Sequence, residues 1–124
     1  MPASYEIDRE RRLILNRAWG VLTADDLRVT REKLQDDPEF QSDFAQLFDL
    51  RDVTEIAISS TMMGNVASSS VFLPGVRRAF VTGNAMQFGM ARMFAAHAEI
   101  HRQQVRVFRE MSEALAWLGE PADD

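Results

Sequence analysis

The chain has 124 residues and a net charge of −5, which suits one soluble domain with its own core and argues against nucleic acid or an anionic membrane as partner. It contains no cysteine, so disulfides, thiolate catalysis and cysteine zinc sites are excluded. No apolar run approaches the ~20 residues of a bilayer span, and Met1 to Arg12 carries no signal-peptide core, so a cytoplasmic protein is expected.

Tyr5 and Ile7 alternate with Ser4, Glu6 and Asp8, the period of a half-buried strand. After the polar turn Asp8-Arg9-Glu10-Arg11, a second strand places Leu13, Leu15 and Trp19 on one face and Ile14 and Ala18 on the other, which predicts an antiparallel hairpin. Thr23 with Asp26 three positions on reads as a capping box opening a helix whose apolar face is Leu27, Thr30 and Leu34, ended by Pro38. Gln46 to Leu50 is nearly all apolar, as in a central, doubly covered strand. Ser59 or Ser60 then caps a short helix with Met62, Met63 and Val66. Pro74-Gly75 marks a loop, and Arg78 to Thr82 is the next strand. Asn84 with Gln87 opens a long helix to about His101. Val105 and Val107 form a last edge strand, and Ser112 caps a final helix stopped by Gly119 and Pro121. One domain over 4–119 and a flexible tail over 120–124 are expected. The alternation of strands and helices implies a mainly parallel sheet with right-handed crossovers.

Three segments carry a family resemblance. They are Leu47-Phe48-Asp49-Leu50-Arg51-Asp52-Val53-Thr54, then Arg78-Ala79-Phe80-Val81-Thr82-Gly83, and Val105 to Arg109 with Glu113 to Gly119. Together, over Tyr5 to Leu118, the chain resembles the SpoIIAA-like group. That group comprises the STAS-domain anti-anti-sigma factors and their single-domain relatives of unassigned function. The resemblance implies an α/β fold, a mixed and mainly parallel sheet of about five strands with an N-terminal hairpin and about four helices. It also implies a non-catalytic regulatory module that docks a protein partner. In anti-anti-sigma factors an Asp-Ser-Ser-Gly-type turn after this strand carries a phosphorylated serine. Ser59-Ser60 occupies a comparable place, with Ile58 where the acid is expected and Thr61 where the glycine is expected. CRAL-TRIO lipid carriers are similar in overall fold, and a carrier or sensor of a small apolar ligand is the alternative reading.

Each candidate site has a plain structural alternative. Ser59 and Ser60 are a candidate charge switch or a simple helix cap. Asp49 and Asp52, at the carboxyl end of a central strand, stand where open α/β sheets bind ligands, or they cap the following turn. Thr82 and Asn84 flank Gly83 in a candidate anion loop, or Asn84 merely caps. Met86, Met90, Met93 and His97 share one helical face that would wall an apolar pocket or belong to the core. His97 and His101 are spaced for a metal, although a hydrogen-bonded core or pocket His97 fits its neighbours better. Phe88 falls toward solvent near Arg92 and is a candidate dimer contact, or a singly exposed aromatic. No Gly-x-Ser-x-Gly elbow, P-loop or dinucleotide fingerprint is present. No enzymatic activity, cofactor or metal is therefore expected.

Overall fold

The alternating residues of Ala3–Asp8 (β1) and Leu13–Thr23 (β2) form the antiparallel hairpin in register Ile7 to Ile14. Arg12 turns the chain at φ 54°, and the Asp8 carboxylate accepts the Arg11 amide. The capping box at Thr23 is complete: the Asp26 amide donates to Thr23 Oγ1 at 3.2 Å and the Thr23 amide donates to Asp26 Oδ2 at 2.9 Å. It starts α1 (Ala24–Gln35), which buries Thr30 and Leu34. Then follow β3 (Ala45–Ala57), α2 (Ser60–Ser68), β4 (Arg77–Val81), α3 (Ala85–Ile100), β5 (Gln104–Phe108) and α4 (Met111–Trp117). The computed structural model describes residues 2–119, and the expected tail at 120–124 lies outside them. No helix of the described residues is long and apolar enough to cross a membrane.

The sheet order is β1-β2-β3-β4-β5, with every neighbouring pair after the hairpin parallel. Period-2 alternation divides the core between its faces. Leu13, Leu47, Ala79 and Val81 pack with Phe108 against Ala114 and Leu115 of α4. Phe48, Leu50 and Phe80 point to the other face, where α2 and α3 supply Met63, Ala67, Ala91, Phe94 and Ala98. α1 joins that layer through Leu27 and, with Ile14, Phe44 and Phe72, through Leu34. Phe80 stands between two rings, 5.3 Å from Phe48 and 5.4 Å from the nearly parallel Phe94.

Two expected boundaries need correction. α4 begins after Glu110 with no side-chain cap, and Ser112 lies inside its first turn. β3 does not end at Leu50. It continues to Ala57 alongside β2, long after its last pair with β4, Asp49 to Val81. Two register shifts, opposite Arg17/Trp19 and Gly20/Val21 of β2, each leave an extra residue in β3, and with Gly20 at φ 64° they bend this two-stranded arm. The bend brings Val53, Ile56 and Ile58 into the core beside Ala91 and Phe94. The arm thus runs along α3: Val53 meets Gln87 near the start of that helix, and Ser60 meets His97 near its end.

Candidate functional site

The bent arm, α1, α2 and α3 enclose a cavity of about 110 Å³ over the sheet. Its walls are Leu22, Leu50 and Ile58 from the arm, Leu27 and Leu34 from α1, and Met63, Val66, Met90 and Phe94 from the other helices. Polar side chains lie on its floor, where adjacent strands place Asn16, Gln46 and Arg78 on one face. Gln46 joins the other two: its Nε2 donates to Asn16 Oδ1 at 2.7 Å and its Oε1 accepts Arg78 Nε at 2.8 Å. Burial pulls the Arg78 guanidinium down to about 10. It therefore remains charged at neutral pH. The exposed Ser69 and half-buried Arg31 and Val71 line the cavity toward solvent.

The expected site residues divide among three places. Asp49 and Asp52 lie within β3, not at its carboxyl end, because the strand runs on to Ala57. Asp49 accepts Arg51 Nε at 3.0 Å and Nη2 at 2.9 Å, and Asp52 accepts Arg17 Nη2 at 2.9 Å. Partial burial pushes Asp49 upward, but hydrogen bonds and charge from Arg51, with the charge of Arg17, outweigh it and hold the carboxyl below the usual range. Both acids are thus engaged with arginines.

The loop expected to hold an anion has its Thr82 and Gly83 donors occupied. The fully buried Thr82 gives both its amide, at 2.9 Å, and its hydroxyl, at 3.1 Å, to the Phe108 carbonyl. The Gly83 amide donates to Gln87 Oε1 at 2.6 Å, and Asn84 Oδ1 accepts the Gln87 amide at 2.9 Å. Asn84 is a cap. The nearby Phe88 is half-buried under guanidinium groups, Arg109 at 4.2 Å and Arg92 at 5.7 Å from its ring centre, and so is not the open aromatic that the sequence suggested.

The methionine face of α3 is split. Met90 lines the cavity, whereas Met86 and Met93 are 39% and 38% exposed. His97, lower on that face, finds its partner in Ser60, whose Oγ lies 3.1 Å from Nε2. Ser59 caps α2 by accepting the Met62 amide at 3.2 Å. The two serines therefore have different roles, and Ser60 is joined to α3 rather than to Asp49. His101 is the C-cap of α3, and among the described residues no group of three or more His, Cys, Asp or Glu is placed to hold a metal.

Arg78, Gln46 and Asn16 were not singled out as site residues. The period of the strands does carry a signal: Arg78 alternates with Phe80, and Gln46 with Phe48 and Leu50, so each polar residue falls at an inward position.

No protein-family model matches the chain, and no curated protein does. Among solved structures, the chain is similar to a protein of the DUF3478 family with a SpoIIAA-like fold from Shewanella loihica PV-4. The TM-score is 0.64 at 16% identity, covering 94% of this chain and 93% of that chain. With the five-stranded mixed sheet and its N-terminal hairpin, this shows a SpoIIAA-like fold.

Proposed function

We propose that this protein carries or senses a small, largely apolar ligand held in the cavity between the sheet and the α1–α3 layer. The supporting observation is the cavity itself. Protein interiors pack like organic crystals, with few voids larger than a water molecule. This space of about 110 Å³ opens toward solvent past Arg31, Ser69 and Val71, so a guest can enter and bury apolar surface against its walls. An engineered apolar cavity of about 150 Å³ takes up benzene. Met63 and Met90 on the wall can adapt to the shape of a guest.

Toluene is the direct probe. In methyl-detected NMR of wild-type protein it should shift the Met63 and Met90 signals saturably. Ala91→Met, which extends a buried side chain into the cavity, should abolish those shifts. It should also leave the melting temperature unchanged or raise it by a few degrees, as cavity filling often does. Wild-type methyls that ignore toluene at its solubility limit, and ignore polar aromatics of similar size as well, would remove this reading.

A second reading, a protein-interaction module of STAS-like type, is favoured by one observation. Ser60 and His97 bond at the surface on the same side of α3 as the exposed Met86 and Met93. Negative charge at Ser60 would set an anion beside His97 in place of the hydroxyl and so alter a docking face. Ser60→Asp should change recovery of a stably co-purifying partner while the melting temperature moves by less than about 4 °C, roughly 1 kcal/mol. Equal recovery with both Ser59→Asp and Ser60→Asp would end the switch idea.

A further inference from the structure

Arg78 is 7% exposed on the inward face of β4. Its guanidinium carbon lies 4.8 Å from the Phe72 ring centre, 5.7 Å from Phe94 and 5.9 Å from Phe80. Its hydrogen bonds all go to neutral groups: Nε to Gln46 Oε1 at 2.8 Å, and Nη1 to Gln103 Oε1 at 3.3 Å and Ser70 Oγ at 3.4 Å. It forms no ion pair with any described carboxylate, and burial alone shifts its proton affinity. A buried cation without a counter-charge is costly, and a partner anion is what ordinarily offsets that cost. Ring faces and neutral amides offset only part of it.

Two further observations point to the cavity as the place for that anion. Nη2 makes no hydrogen bond to the described residues. Yet no fully buried side-chain nitrogen or oxygen among them lacks a partner, so Nη2 is not sealed inside protein. Arg78 lines the cavity, and so does Arg31, while no Asp or Glu does. Around this one space, a chain of net charge −5 presents only positive formal charge.

We propose that the cavity selects a small organic monocarboxylate, with an apolar body of about benzene size, and that Arg78 receives its carboxylate through Nη2. This rests on the ligand-binding reading above and names its ligand class. The planar guanidinium matches a carboxylate. A phosphate ester fits less well: apolar walls would leave its extra oxygens without donors. The cavity is smaller than the one of about 150 Å³ that takes up benzene, but it opens toward solvent, which leaves room for an aryl ring or a short branched acyl group.

Benzoate, benzamide and toluene form the test set, read by the Met63 and Met90 methyl shifts of the intact chain. Wild type should bind benzoate at least tenfold more tightly than its neutral isostere benzamide. Arg78→Met should erase that preference while still admitting toluene, and Arg78→Lys should keep part of it. If toluene or benzamide moves the methyls and benzoate binds no better, the anion proposal is wrong while the cavity remains a ligand site. If none of the three moves them, both proposals fall. Should Arg78→Met not fold, the benzoate-to-benzamide ratio of wild type decides the matter without any substitution.

Discussion

Gln87→Leu is expected to lower the melting temperature by roughly 12–20 °C, at about 4 °C per kcal/mol for a domain of this size. Gln87 is 1% exposed and makes three bonds with its amide group. Its Oε1 accepts the Gly83 amide at 2.6 Å, and its Nε2 donates to the Val53 carbonyl at 2.7 Å and the Arg51 carbonyl at 3.1 Å. Beyond Asp49, β3 has no β4 residue beside it, so those carbonyls have no partner in β4. Leucine has similar bulk but no polar atoms, and would leave three backbone groups unpaired at about 1–3 kcal/mol each. Relaxation and water entry bring the sum to about 3–5 kcal/mol. Chemical denaturation with an unchanged m-value would measure it. A loss below about 1 kcal/mol would mean that the arm does not depend on α3 for its place.

Phe80→Ala should cost about 3–5 kcal/mol, the usual loss for a buried phenylalanine. The ring joins the two layers of the core, with Phe48 of β3 on one side and Phe94 of α3 on the other. It also lines the cavity. Removal therefore enlarges an existing void, and the variant should accept a larger guest than wild type does. Naphthalene should raise its melting temperature by several degrees through preferential binding to the folded state, and leave wild type unmoved. A variant that loses stability but gains nothing from any aromatic would show that the site had collapsed.

The hairpin and the starts of three helices were legible in the sequence because their signals are local. Thr23-Asp26, Ser59 and Asn84 cap where their side chains can reach the next turn. The length of β3 was not legible. Past Asp49 it runs Leu-Arg-Asp-Val-Thr-Glu-Ile, mixed because one margin and much of one face meet solvent. Such a run looks like a turn to any rule that expects a central strand to be apolar throughout. The meeting of Ser60 with His97 depends on the bend of the arm, which comes from bulges in β3 and leaves no mark on the spacing of either residue. His97 itself did announce its need: an imidazole amid methionines requires a polar partner. Arg78 was hidden by position. A charged residue at the first turn of an apolar strand reads as a boundary, while the alternation that points it inward becomes decisive only when Gln46 and Asn16 stand beside it.

The margin of β3 that lies beyond β4 and is covered by α3 at Gln87 also bears on how separate copies behave. Adjacent carbonyls on an unpaired strand are what another molecule's backbone recruits when proteins polymerise through their sheets. One amide, that of Gln87, occupies the Arg51 and Val53 acceptors together, and the exposed Arg51, Asp52 and Glu55 surround them with mixed charge. A glutamine that fastens a helix to a strand thereby also guards against fibre growth along the flank of the molecule where the sheet would otherwise invite addition.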